Sequence, residues 1–144
     1  MNSIRRIAVV LIALSLAKTS LAQAQRLDDI VDIISFAWSQ NDAKALVAMA
    51  AREGISIETK EGRLGPLGQR QATAVLRRIF DEAETVTLRP GITQTAGGEP
   101  RRAFAEITWT RRAPDTTQPE RVRVFVELIL DGDRWRITQI RMLP

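Results

Sequence analysis

The sequence predicts an α+β fold in which helices pack on one face of an antiparallel sheet. Apolar residues recur at helical spacing in the first half of the chain and alternate at strand spacing in the second half, where turn signals separate the strands. Runs of helices followed by runs of strands are typical of this class. No repeat or linker divides residues 25–144, so we expect them to form one domain.

Three helices are predicted from apolar residues at three- and four-residue spacing. The first is expected over Arg26–Gln40, and Asp42 can cap a second helix over Ala43–Ala51. Pro66 suits the first turn of the third helix. The apolar face of this third helix consists of Ala72, Val75, Leu76, Ile79 and Phe80.

The remaining pattern predicts strands. Ile55–Thr59 alternates and predicts a short strand, whereas the glycine-rich stretch Lys60–Gly68 predicts a loop. Asp131-Gly132-Asp133 predicts a tight hairpin between the last two strands. Because Val122, Val124, Val126, Leu128 and Leu130 alternate along one strand, we expect that face to be buried. The four longer strands are expected over about residues 85–93, 101–111, 121–130 and 134–143.

The N-terminal residues predict a cleavable signal peptide over residues 1–24. Arg5 and Arg6 precede an uncharged apolar run that is shorter than the roughly 20 residues needed to span a bilayer. Ala22 and Ala24 have small side chains that suit a signal peptidase, so we expect cleavage after Ala24 or, as second choice, after Ala22. An uncleaved membrane anchor and a twin-arginine signal are the alternatives.

Export changes the charge of the domain. The whole chain carries a net charge of +4, but Arg5, Arg6 and Lys18 leave with the signal peptide, so the mature chain has a net charge of about +1. A nearly neutral domain argues against a nucleic-acid partner, which requires a strongly basic face. We therefore expect a periplasmic or secreted domain that has no membrane contact after cleavage.

Histidine, cysteine and tyrosine are absent from the whole sequence. The chain therefore lacks the commonest general acid–base residue, the thiolate nucleophile and the usual zinc ligands. A serine triad that depends on histidine is also excluded. We expect no cofactor and favour a non-catalytic domain, while an enzyme that uses only carboxylates stays open.

Several segments resemble the nuclear transport factor 2-like superfamily. Residues 41–46 resemble the break before its second helix, residues 65–80 its glycine-entered third helix, and residues 131–137 its closing hairpin before Trp-x-Ile. Gln139-Ile140-Arg141 resembles the last strand of small secreted bacterial domains of unknown function. The resemblance implies that three N-terminal helices pack on a curved, cystatin-like sheet and form a cone.

The resemblance implies no catalytic residue. The superfamily contains both enzymes and binding proteins, so its fold does not define a function. Enzymes of the superfamily, such as ketosteroid isomerase and scytalone dehydratase, use tyrosine or histidine together with aspartate inside the cone. Neither tyrosine nor histidine is present in this sequence.

The second face of the strand over residues 121–130 mixes charged and apolar residues, which indicates a contact surface. We expect this face to bind a second copy of the chain, as a homodimer, or a periplasmic protein partner. Cross-strand ion pairing on an exposed face, including Glu106, is the alternative. The candidate interface residues are Arg123, Phe125, Glu127, Ile129 and Arg136.

A small-molecule site in the mouth of the cone is the alternative function, for a carrier or for a carboxylate-only enzyme. Its tryptophan and phenylalanine could equally belong to the core, because such side chains bury large areas. The candidate pocket residues are Trp38, Asp42, Glu58 and Phe80. Asp28 and Asp32 could hold a cation, although solvated charges are commoner near a helix start.

Overall fold

The computed structural model describes residues 27–144. The predicted signal peptide, with its cleavage positions at Ala22 and Ala24, lies outside these residues. Residues 31–144 form one compact unit. Of the unit that precedes it in the chain, the structure describes only residues 27–30, which are helical. None of the helices in residues 27–144 combines the length and the apolar character that crossing a membrane requires.

The described residues contain three helices: α1 over residues 27–39, α2 over Ala43–Ala48 and α3 over Gln69–Asp81. The predicted start of α1 at Arg26 lies outside the described residues. The prediction that α2 extends to Ala51 is wrong. Ala50 pairs with Ile137 as an isolated parallel bridge, and the Ala51 amide donates to the Ile137 carbonyl over 2.8 Å. Pairing with a strand therefore ends this helix early.

Within residues 27–144, six strands form one sheet in the order β2-β1-β6-β5-β4-β3. All neighbouring pairs are antiparallel except β1 and β6, which run parallel with Ile57 opposite Ile140. The expectation of a purely antiparallel sheet is therefore wrong at this one pairing. The strands are β1 Ile55–Thr59, β2 Gly62–Leu67, β3 Glu84–Ala96, β4 Arg102–Arg112, β5 Glu120–Asp131 and β6 Arg134–Leu143.

Strand β2 was predicted as a loop, and that prediction is wrong. It pairs with β1 at one edge of the sheet, where a proline is tolerated because its missing N–H faces no partner strand. Gly65 has a φ of 115°, and a Cβ there would lie 2.8 Å from the Ile55 carbonyl oxygen. Glycine therefore permits the close approach of β2 to β1. Pro66 belongs to β2 and does not begin α3, which follows Gly68.

The core lies on one face of the sheet. On β5, Val122, Val124, Val126 and Leu128 are all buried, which confirms the predicted alternation at these positions, whereas Leu130, predicted for the same face, is only half-buried near the strand end. On β4, the residues of the same face are also buried: Ala103, Ala105, Ile107 and Trp109. This period-two burial fixes which side chains of β4 and β5 point away from the core.

Three aromatic rings meet in the core. Trp38 of α1, Phe80 of α3 and Trp109 of β4 contact one another edge to face, with ring centroids 5.2–6.2 Å apart. Such pairs contribute about 0.5–1.5 kcal/mol each beyond their buried area. The cluster therefore joins two helices to the sheet.

Candidate functional site

The four residues predicted for the pocket have different surroundings. Trp38 and Phe80 are buried, and their rings contact each other edge to face in the aromatic cluster. Asp42 is exposed, and its carboxylate accepts from the Ala45 amide over 3.0 Å, which caps α2. Glu58 accepts from Arg141 Nε at 3.0 Å and belongs to the sheet surface. The structure therefore brings the two rings together and gives each carboxylate a separate structural partner.

A cavity of about 320 Å³ lies elsewhere in the unit formed by residues 31–144. One wall is α3, a second is the β1–β2 hairpin, and a third consists of the adjoining ends of β4, β5 and β6. None of the four predicted pocket residues lines it. Its apolar lining consists of Leu64, Val75, Ile79, Val122, Met142 and Pro144.

Charged side chains surround this apolar lining. Four of them are cationic, Lys60, Arg63, Arg78 and Arg111, and three are acidic, Glu61, Glu82 and Glu120. Arg111 makes two contacts of its own: its guanidinium carbon lies 5.0 Å from the Trp109 ring centroid, and its Nε lies 3.2 Å from Glu120 Oε2. The cavity therefore combines six apolar lining residues with seven charged ones, a more polar lining than most small-molecule sites have.

Sequence reasoning missed these residues, although two signals pointed to them. On α3, Val75, Arg78, Ile79 and Glu82 follow helical spacing and so share one face. On β4, Arg111 continues the odd-numbered series of buried residues, so a charged side chain extends from the core face. A charged residue at the next position of an otherwise buried strand face indicates that the core is open to solvent at that point.

The predicted interface residues do share a surface. Arg123, Phe125, Glu127 and Ile129 alternate with the buried residues of β5, and Arg136 of β6 lies opposite Ile129. We call the sheet face that carries them the outer face. The Arg123 guanidinium lies 5.7 Å from the Phe125 ring centroid.

The outer face also contains residues that were not predicted. Phe104 of β4 lies opposite Glu127 and is 43% exposed. Arg102 Nη1 lies 3.3 Å from Glu127 Oε1. In register, Glu106 of β4 and Arg141 of β6 lie on either side of Phe125. The outer face therefore combines exposed aromatic surface with charges of both signs.

The described residues offer no metal centre. Within residues 27–144, no group of three or more potential ligand side chains lies close enough together to hold a metal ion.

No family model and no curated protein matches this chain. Solved structures do match it over most of its length. A DUF4783 family protein from Bacteroides ovatus is 14% identical, with a TM-score of 0.62 over 76% of this chain and 90% of that one. A hypothetical protein from Catenulispora acidiphila with a ketosteroid isomerase-like fold, in complex with trimethylamine, is 20% identical, with a TM-score of 0.63 over 80% and 84%.

A domain of unknown function from Nostoc punctiforme with a cystatin-like fold is 14% identical, with a TM-score of 0.62 over 84% of this chain and 76% of that one. Identities this low show the fold alone and assign no activity. The resemblance drawn from the sequence is confirmed at this level: the chain has the nuclear transport factor 2-like fold, shared with bacterial domains of unknown function.

Proposed function

We propose that this protein is an exported, non-catalytic domain that pairs with a second copy of itself through the outer face of its sheet. The observation that carries the proposal is the aromatic surface on that face, formed by the exposed Phe104 and the half-buried Phe125 among paired charges. Aromatic residues and arginine are enriched in protein interfaces. Export rests on the predicted signal peptide, and the non-catalytic assignment rests on the missing histidine, cysteine and tyrosine.

The charges of the outer face favour a second copy as the partner. Glu106, Phe125 and Arg141 lie side by side on β4, β5 and β6. A two-fold axis parallel to β5 would place Phe125 against its copy and Glu106 of each chain against Arg141 of the other. Isologous interfaces require this kind of self-complementary patch.

Light scattering at increasing protein concentration tests the proposal. We expect the wild-type protein to dimerise and Phe125→Glu to be monomeric, with its far-ultraviolet circular dichroism spectrum retained. Phe36→Glu is the matched control, because Phe36 is 68% exposed on α1 and lies off the sheet. A wild-type protein that stays monomeric at high concentration contradicts the proposal, as does capture of a different periplasmic partner on this face without any dimer.

Glu106→Arg provides a second variant that does not introduce a charge at an apolar position. It would place two arginines against each other in the proposed dimer, and we expect it to weaken association. The variant Glu106→Arg/Arg141→Glu reverses both charges and is expected to restore association when it is combined with Glu58→Gln, because Arg141 is also the ion-pair partner of Glu58. Equal dimerisation of the single variant and the wild type would contradict the proposed pairing.

A second candidate function is favoured by the cavity beside α3. We propose that the domain carries a small molecule there, since a volume of about 320 Å³ with an apolar lining lies at the lower end of ligand-site sizes. Amide resonances of residues 59–64 report on occupancy, because these residues form one wall. If octanoate, octanol and octylamine all fail to shift those resonances, the carrier proposal is wrong.

A further inference from the structure

We propose that the cavity beside α3 binds a small organic carboxylate with an apolar tail. This inference rests on the proposed carrier function and adds the chemical class of the ligand. The tail would lie against Val75, Ile79, Val122 and Met142, and the carboxylate would lie among the cationic side chains at the rim.

The charged side chains that line the cavity include more cations than anions. Arg111 and Glu120 form an ion pair, so their charges offset each other. Among the other lining residues, Lys60, Arg63 and Arg78 carry positive charge, and Glu61 and Glu82 carry negative charge. The side chains alone therefore leave an excess of one positive charge, and the preference for an anion rests on the placement of individual arginines and not on this small excess.

Arg78 is the side chain best placed to hold that anion. It lies on the cavity-lining face of α3, is exposed, and forms no ion pair within 4.0 Å with any residue of 27–144. A guanidinium presents parallel N–H donors that match the two oxygens of a carboxylate. Arg78 can therefore bind a carboxylate without breaking an ion pair to any of the described residues.

Arg111 supplies a second guanidinium on the opposite wall. Its contact with the Trp109 ring and its ion pair with Glu120 restrict its movement, and its side chain is 20% exposed. The ion pair uses Nε, while the terminal nitrogens of a guanidinium are further donors. Because Arg111 is already ordered, binding through it loses little side-chain entropy.

Titration of the purified protein with octanoate, octanol and octylamine, followed by amide resonances of residues 59–64, tests the inference. The three compounds share one tail and differ in the charge of the head group. We expect octanoate to bind about tenfold or more tightly than octanol, and octylamine to bind most weakly, because a charge-assisted hydrogen bond gives at least that factor. Preference for octanol or octylamine overturns the carboxylate assignment but leaves the carrier proposal standing, whereas no binding of any compound overturns both.

Arg78→Gln tests the assigned residue, and Arg77→Gln is its matched control. Both arginines are exposed on α3, but only Arg78 lines the cavity. We expect Arg78→Gln to weaken octanoate binding about 10- to 100-fold and to leave octanol binding unchanged. If the two variants lose the same affinity for octanoate, or if Arg78→Gln loses the same affinity for octanoate and for octanol, the role of Arg78 is overturned.

The length of the tail gives an independent measurement. From butanoate to octanoate, each added methylene that enters the apolar lining should tighten binding about fourfold. Val75→Trp, which fills the cavity from the α3 wall, is expected to abolish this gain. An affinity that does not depend on tail length would mean that the carboxylate pairs with a surface arginine while the tail stays outside the cavity, and it would overturn the inference.

Discussion

Trp38 and Trp109 form a matched pair for measuring how a buried polar atom affects the stability of this core. Both side chains are fully buried, and their ring centroids lie 5.5 Å apart. Trp109 Nε1 donates to Thr85 Oγ1 over 2.9 Å, whereas Trp38 Nε1 has no acceptor among the described residues. Replacement of either tryptophan with phenylalanine removes the same atoms, so the packing losses largely cancel when the two variants are compared.

The difference between the two variants then follows from the indole N–H. Trp109→Phe loses a hydrogen bond, at a net cost of about 0.5–1.5 kcal/mol. Trp38→Phe removes a buried donor without an acceptor, and so relieves a desolvation cost of about 1–3 kcal/mol. We therefore expect Trp109→Phe to have a free energy of unfolding lower than that of Trp38→Phe by about 1.5–4.5 kcal/mol.

Urea unfolding followed by far-ultraviolet circular dichroism measures this difference without using tryptophan fluorescence as the probe. The free energy of unfolding should fall with urea concentration at the same slope in both variants, so that a difference between their midpoints reports a difference in stability alone. Thr85→Val adds a control, because it removes the acceptor of the Trp109 hydrogen bond. This substitution should lower the free energy of unfolding much less in the Trp109→Phe background than in the wild-type protein. A Trp38→Phe variant as unstable as Trp109→Phe refutes the reasoning.

Two further predictions concern the backbone. Asp42→Ala should lower the free energy of unfolding by about 1 kcal/mol through loss of the bond to the Ala45 amide, and Asp42→Ser should retain most of the stability, because serine also caps helices. If serine and alanine cost the same in urea unfolding, Asp42 does not act as a cap. Gly54→Ala should cost more than about 1 kcal/mol, because φ is 103° and a Cβ would lie 2.7 Å from the Leu67 carbonyl oxygen. Gly97→Ala, with open space around it, should change stability by less than about 0.5 kcal/mol, and equal thermal midpoints for the two glycine variants would contradict this account.

The parts of the fold that depend on local pattern were predictable from the sequence. Burial of alternate residues along β5 follows from their period of two, and the hairpin at Gly132 follows from its turn residues, where φ is 64°. The errors arise where a distant partner decides the structure. Strand β2 exists because β1 offers it an edge, and α2 ends early because Ala50 pairs with Ile137. Neither partner is visible in the local sequence.

The same distinction applies to the candidate sites. The predicted residues of β5 on the outer face come together because strand alternation alone groups them. The cavity was missed because one of its walls is the hairpin that contains β2, and this segment was predicted as a loop. Trp38 and Phe80 were assigned to a pocket, but a list of large apolar residues cannot show whether their rings leave space between them.

Alternation along β5 also separates the two proposed functions. Val122 lines the cavity, whereas Arg123 and Phe125 point to the outer face, and β4 and β5 pair without a register shift between them. A dimer centred on Phe125 therefore buries neither Arg78 nor Arg111, the two arginines assigned to carboxylate binding. Phe125→Glu should abolish association while leaving the affinity for octanoate unchanged, and Arg78→Gln should have the opposite pattern. Loss of both properties in either variant would mean that the two faces act as one site, and the separation argued from strand geometry would then be wrong.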